Sequence, residues 1–431
     1  MPIKRILAAL LCVTRTAIKS MRFEEDKLVI GVSPRKGQRC RCPHCNRKSP
    51  VHDRSTHPRR WRTLDLGSTM TYLEYHTLRV RCPEHGIVTA AVPWARHASR
   101  FTHAFEEQVA WLCVHCNRSV VSQLMRIDWK SVGPVCKRVY DKLDAAVGNR
   151  FDGLVRIGID ETSYKRGHKY MTVVLDHDTG RVVWCGKGHG KEVLRSFFEL
   201  LTAEQCESVQ VVTADGARWI ADVVYEFCPN AEHAMDPFHV VQWMTDLLDD
   251  VRKRAWNDAR TAERKIAKKR GRGRPRKGDE QPESKAKAVK GSRYSLLKNP
   301  ENLTESQRMT LERIAREDKR LYRAYLMKER LRDVFKASEG NEAARLLDSW
   351  LRSASHSSID ELKELSKKIR RHRDAIVRSV ALGISNARVE AINNKIKLTV
   401  RMGYGFRNID NLISLVMLRC SNLPIKLPGR A

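Results

Sequence analysis

Nowhere in the 431 residues does an uninterrupted apolar run reach the roughly 18 residues a membrane-spanning helix needs, which excludes a helical membrane protein as the starting reading. The opening stretch MPIKRILAALLCVTRTAIKS places basic residues before an apolar run, as a secretory signal does. Its apolar part is short, and no small-residue cleavage site follows. Disulfides are a poor organising principle here, since twelve cysteines are thinly spread and several fall within tight Cys/His pairs. That usage fits a reducing cytoplasm with bound metal, so a soluble cytoplasmic protein is expected. No internal repeat is visible, which removes solenoids and propellers. Acidic residues are outnumbered, 50 Asp plus Glu against 81 Lys plus Arg, for a formal net charge of +31. A polyanionic partner follows from that balance, and nucleic acid leads over anionic lipid.

The length calls for two to four packed units. Residues 1–98 hold clustered Cys/His pairs and short β-type runs such as LVIGV and YLEYHTLRVRC, a small metal-stapled module. Residues 99–150 turn helical through FEEQVAWLCVHC, SVVSQLM and WKSVGPVCKRVYDKL. Over 151–245, β-branched runs (LVRIGID, YMTVVLD, RVVWCG, VQVVTAD) alternate with helical stretches (KEVLRSFFELL, ARWIADVVYEF), the pattern of an α/β sheet domain. Residues 246–380 read as a helical insertion interrupted by a basic flexible segment, about 260–293, dominated by Gly, Pro and charge. Residues 381–431 return to helix, with a Gly-rich turn MGYGF between ARVEAINNKIKLTV and NLISLVMLRC.

Cys42-Pro-His-Cys45 and Cys82-Pro-Glu-His85 repeat one spacing on either side of a β-rich segment, and together supply four ligands for a closed tetrahedral structural zinc site. Cys40 rivals Cys42, and His44, His52 and His57 are further candidates. Cys113 and Cys116 form a third pair inside an apolar helical pattern, where burial is the better reading. In the helical unit, Ser119 is expected to cap a short helix with Val120 and Leu124 on one face. Asp128 is expected to cap a longer one bearing Lys130, Lys137 and Arg138. These are the proportions of a helix-turn-helix, whose second helix enters the DNA major groove.

The strand LVRIGID stays apolar until Asp160 ends the pattern, and VQVVT likewise runs into Asp215. Acidic residues at the ends of neighbouring strands can share divalent cations, whose charge overcomes their repulsion. Glu161 should face the opposite side of its strand from Asp160. The order strand-strand-strand-helix-strand-helix matches an RNase H-like fold, with a third ligand from a later helix. Glu390 in SNARVEAINNKIKL is the candidate, with Asn393, Asn394 and Lys397 on the same helix. By itself Glu390 reads more readily as one charge on a solvated helix. Asp236 in DPFHVVQW rivals Asp215, and His239 follows one turn later; both are candidates for orienting a metal ligand or the DNA.

The segments RCPHC, RCPEHG, IGIDETSYKRGHKY, VTADGARW, MDPFHVVQW and ARVEAINNKIKLTVRMGYGFRN span most of the chain. In combination they resemble insertion-sequence transposases of the ISL-three family, in which a zinc-binding N-terminus and a helix-turn-helix precede a DDE catalytic domain. The resemblance implies that Asp160, Asp215 and Glu390 take the three DDE positions, with a helical insertion between the second and third, and so reverses the preference for Glu390 as a solvated charge. It further implies Mg²⁺ or Mn²⁺ at those carboxylates, cleavage at the inverted-repeat ends of an insertion sequence, strand transfer into target DNA, and location in the bacterial cytoplasm or nucleoid. Synapsis of two ends would call for a homodimer or higher oligomer. The segment around 270–290 matches no family motif; Arg272 and Arg274 in RGRP have the form of a minor-groove arginine pair, against the plainer reading of a basic tether.

The expected architecture is therefore multidomain α+β: a zinc-binding β module, a helix-turn-helix bundle, and an RNase H-like α/β catalytic domain with an α-helical insertion. A DNA-binding regulator derived from a transposase and an RNase H-like structure-specific nuclease are the competing readings.

Overall fold

The computed structural model describes residues 3–270, 284–383 and 387–429. Arg272 and Arg274 lie outside them.

The N-terminal part begins with helix α1 (Ile3–Leu10), whose Leu7 and Ala8 pack with the fully buried Leu11 on the first sheet. That sheet has the order β1-β2-β5-β4, from β1 (Thr16–Glu24), β2 (Lys27–Pro34), β4 (Arg59–Arg62) and β5 (Met70–Tyr75). A second sheet, β3-β6-β7, is formed by β3 (Val51–Arg54), β6 (Leu78–Cys82) and β7 (Gly86–Thr89). Trp61, Tyr75 and Trp94 meet edge-to-face in the core of the first.

Three helices follow: α2 (His103–His115), α3 (Arg118–Met125) and α4 (Trp129–Val147). Asp128 caps α4 as the sequence suggests, accepting from the Lys130 amide. The cap of α3 differs from expectation. Asn117, not Ser119, accepts from the Val120 amide and starts the helix two residues early. Val121 and Met125 therefore face the core, whereas Val120 and Leu124 are exposed. A buried carboxylate, Glu106, ties this unit together, taking hydrogen bonds of 2.7 Å from Arg96, Arg138 and Ser99.

The central sheet has the order β10-β9-β8-β11-β12, built from β8 (Arg156–Lys165), β9 (Lys169–Asp176), β10 (Val182–Lys187), β11 (Val211–Ala214) and β12 (Glu232–Met235). The first three form an antiparallel meander, and β11 and β12 run parallel to β8. Helices α5 (Lys191–Phe198), α6 (Ala203–Ser208) and α7 (Arg218–Phe227) lie between β10 and β12 in sequence. One face of the sheet packs on them through Ile157, Ile159, Val174 and Val212. The other face presents Met171, Val173 and Leu175 to a core shared with α2–α4 and two C-terminal helices, α16 (Ala387–Met402) and α17 (Ile409–Cys420).

Between these parts lies a helical body with its own core. Helix α8 (Pro237–Arg270) leaves β12 and runs without a break into the segment expected to be flexible, as far as Arg270, while positions 271–283 of that segment lie outside the described residues. Helix α9 (Lys285–Gly291) lies within that segment as well. Its start is fastened to α8 by Glu263, which accepts from the Ser284 hydroxyl at 3.0 Å and the Ala286 amide at 2.9 Å. Ala, Lys, Glu and Arg carry high helix propensity, which explains why a charged stretch folds here. Then follow α10 (Arg293–Leu297), α11 (Glu305–Glu317), α12 (Lys319–Val334), α13 (Gly340–Ser355), α14 (Asp360–Arg371) and α15 (Arg373–Ala381), assembled around Leu347, Trp350 and Leu331. Among the described residues, no helix is long and apolar enough to cross a membrane.

Candidate active site and metal centre

Strand register fixes the site. β11 pairs with β8 so that Val211 opposes Arg156, and with β12 so that Val211 opposes Glu232. Carried along the strands, the same offsets set Asp215 abreast of Asp160 on one side and of Asp236 on the other. Side chains alternate along a strand, so all three carboxylates share the sheet face of Gly158, Thr213 and Ala234, the face covered by α16. Asp215 and Asp236 lie just past the carboxyl ends of β11 and β12, whereas Asp160 lies within β8, just beyond the last residue paired with β11.

Local hydrogen bonds hold each of these residues. Asp160 Oδ1 accepts from the Glu161 amide at 2.7 Å, and Oδ2 accepts from the Asn393 side-chain amide. Asp215 Oδ1 accepts from the Ala217 amide at 2.9 Å. Asp236 is buried and accepts from the Phe238 amide at 2.8 Å, with the His239 ring 3.6 Å away. Burial raises the Asp160 carboxyl above its ordinary range; Asn393 and the nearby His239 pull it down, and the charge of Asp215 pushes it up. Glu161 faces the other side, as its alternation requires, and takes the Gly190 amide at 3.0 Å. Its carboxyl is raised too, again by burial first.

Helix α16 reaches the row through two contacts. Val389 packs at Gly158, where an added Cβ would lie 3.1 Å from its methyl group, and Asn393 meets Asp160 two residues further along β8. Glu390 therefore stands between those two levels, one turn before Asn393 on the same flank. It is exposed, as are Asn394 and Lys397. Arg388 anchors the start of the helix by donating to the backbone carbonyls of His177 and Asp178.

The helical body also reaches the site, a contact with no local signal in the sequence. Trp243 on α8 and His372 at the α14–α15 corner flank Gly216, next to Asp215. An added Cβ at Gly216 would come within 2.8 Å of the Met235 methyl and 3.2 Å of the Trp243 ring, so a larger residue there would have to displace both.

A second cluster lies in the N-terminal part. The ligand atoms of Cys42, Cys45, Cys82 and His85 all fall within 4.8 Å of one another. Cys82 Sγ is 3.6 Å from both Cys45 Sγ and His85 Nδ1. The His85 ring contributes most to drawing the Cys82 thiol down to about 6, where it is a thiolate at neutral pH. Cys40, His44, His52 and His57 are not in this set; His44 instead stacks on the His85 ring at 5.0 Å. Cys113 is buried, as its apolar helix predicts.

Of the basic residues expected on the second helix of the helix-turn-helix, Lys130 and Lys137 are exposed, with Lys137 paired to Asp141 at 2.8 Å. Arg138 is partly buried and donates from Nε to the buried Glu106 at 2.7 Å.

Three family models match the chain. One described as "Transposase" covers residues 157–416, one described as a helix-turn-helix domain of transposase family ISL3 covers 90–140, and a zinc-finger of transposase IS204/IS1001/IS1096/IS1165 covers 38–85. The transposase for insertion sequence element IS1557 of Mycobacterium tuberculosis, in strains CDC 1551 / Oshkosh and H37Rv, is 46% identical over 99% of this chain and 97% of its own length. The transposase for insertion sequence element IS1001 of Bordetella parapertussis is 25% identical over 85% of each chain.

Proposed function

Because the chain belongs to the ISL3 family of transposases, we propose that Asp160, Asp215 and Glu390 form its DDE centre, on an RNase H-like sheet, and that this centre cuts and rejoins DNA strands. The observation that carries the reading is the shared row of Asp160 and Asp215 on adjacent parallel strands, roofed by the helix that bears Glu390. The strand order 3-2-1-4-5, counted along β8 to β12, with the last two strands parallel to the first, supports the fold assignment.

The donor set suits a hard divalent cation. Asp160 is a half-buried carboxylate next to a second one, an arrangement that disfavours its charged form until a cation offsets both. Mg²⁺ or Mn²⁺ held by Asp160, Asp215 and Glu390 would supply the charge that activates an attacking hydroxyl and stabilises the departing oxygen. The chain's residues do the positioning. Asn393 and the Glu161 amide each fix one Asp160 oxygen and so set the orientation of the carboxylate. Asp236 and His239, placed together at the start of α8, orient the neighbouring carboxylates or the DNA. Water attack on the phosphodiester at an element end releases a 3′-hydroxyl, which then attacks target DNA at the same centre.

The helix-turn-helix reads the terminal inverted repeats, with Lys130 and Lys137 on its second helix, and Lys397 on α16 grips phosphate. Zinc at Cys42, Cys45, Cys82 and His85 shapes the N-terminal module and takes no part in strand chemistry. Pairing of two element ends requires a homodimer or larger assembly, and the work is done in the bacterial cytoplasm.

The test is strand cleavage on a duplex carrying the element end. Asp160→Asn and Asp215→Asn should each abolish Mg²⁺-dependent cleavage and leave end binding within about threefold, since phosphate contacts elsewhere dominate affinity. Cleavage at the wild-type rate by either variant would remove the assignment.

A further inference from the structure

Trp243 lies two turns into α8 from Asp236, half-buried, with its ring edge against Gly216. Lys368 of α14 holds its ammonium 3.5 Å above the centroid of that ring. Stacked in this way, Gly216, Trp243 and Lys368 run outward from the carboxylate row as one layer, and the His372 ring lies 5.8 Å from Trp243 beside it. Lys368 belongs to a basic run, KKIRRHR, at the corner between α14 and α15. Two of its neighbours are already used: Lys367 pairs with Glu364 and Arg373 with Asp348, each at 2.7 Å. Among the described residues, Lys368, Arg370 and Arg371 have no carboxylate within ion-pair distance, and of the two arginines Arg371 is the one whose charge acts on Lys368.

Lys368 is thus a partly desolvated cation that a tryptophan face holds in position but does not neutralise. Burial lowers its ammonium, Arg371 pushes the same way, and Asp215 and Asp246 pull it up, so its field reaches the row. A phosphodiester would complete the environment, because it brings a full negative charge on two unesterified oxygens to a cation already oriented. Lys368 and Trp243 also line the groove between α8 and α14, where Glu361 pairs with Arg254 and Glu364 with Lys367.

We propose that this corner is a DNA-backbone contact, in which Lys368, braced on Trp243, and Arg371 hold a phosphodiester next to the carboxylate row. The helical insertion then takes a direct part in placing the strand that is cut. The inference rests on the reading of Asp160 and Asp215 as the cleavage centre.

Binding of the full chain to an element-end duplex, followed across salt concentration, separates a phosphate contact from a packing role. Each phosphate neutralised contributes about one to the slope of log affinity against log salt. Lys368→Gln should reduce that slope by about one and Lys368→Gln/Arg371→Gln by about two, while Lys368→Arg keeps it. An unchanged slope in the double variant, with or without weaker binding, overturns the proposal. Cleavage by Asp160→Asn, run in parallel, distinguishes the layers: if Asp160→Asn is dead and the slope is unmoved, only the corner contact falls; if Asp160→Asn cleaves normally, both fall.

Discussion

The side-chain amide of Asn393 donates to Oδ2 of Asp160 across 233 positions of sequence, and so ties helix α16 to strand β8 at the level of the carboxylate row. Removing it leaves a half-buried carboxylate short of a donor and frees the helix that carries Glu390. Asn393→Ala should therefore slow strand cleavage roughly 10- to 100-fold, the equivalent of about 1.5–3 kcal/mol for a hydrogen bond to a charged group. End binding should hold. Single-turnover cleavage and gel-shift binding on one duplex check both halves, and equal losses in the two would mean Asn393 serves folding alone.

Glu106 is the second relationship with a measurable cost. Fully buried and bonded by Arg96, Arg138 and Ser99, it joins the segment before α2 to α4. Glu106→Ala leaves Arg138 without its carboxylate and Arg96 with only Glu107, and breaking such a buried pair typically costs about 3–5 kcal/mol. Hydrogen exchange in α2 and α4 of the full chain should accelerate at least 100-fold. Rates within threefold of wild type would show that the buried cluster contributes little.

Zinc and strand chemistry should separate cleanly. Cys82→Ser breaks the set of four ligands, so metal analysis should fall from about one zinc per chain to near zero. Asp160→Asn should keep its zinc. Loss of zinc in the carboxylate variant, or its retention in the cysteine variant, would place the metal elsewhere.

His177 makes the sheet domain acid-sensitive. Burial pushes its imidazole from 6.5 down to about 4, and Nε2 lies 2.6 Å from the Thr213 hydroxyl behind Gly158. The unfolded chain takes up this proton first, so the stabilisation is complete above about pH 6.5 and is lost between there and pH 4. At about 1.4 kcal/mol per unit the loss approaches ~3 kcal/mol. His177→Gln should flatten this part of the stability curve; identical slopes from pH 7 to 4 in denaturant titrations would exclude His177 as the source.

The legible parts of the sequence were those with local signals. Asp160 and Asp215 stood out because each ends an apolar strand, and the paired Cys-Pro spacing marked the metal ligands. The sequence ranks Asp215 above Asp236 because VQVVT is the more convincing strand; that Asp236 stands in the same row shows only through the pairing of β12 with β11. The α3 face was missed by one residue. Asn117 and Ser119 are both good caps, and a shift of one position turns a helix by about 100°, exchanging Val120 and Leu124 for Val121 and Met125 at the core. Lys368 was invisible for another reason: within a run of basic residues nothing local tells which one folds back over a tryptophan more than a hundred residues earlier. The charged half of α8 was misread because composition was weighed without the Glu263 contacts that fasten its return.

A Mn²⁺-soaked crystal of the chain on element-end DNA, with the ion located by anomalous scattering, tests most directly whether acidic groups remote in sequence build one cation pocket. The account predicts a peak ligated by Asp160 and Asp215, with Glu390 turned in from α16. A peak that leaves either aspartate unligated would contradict it.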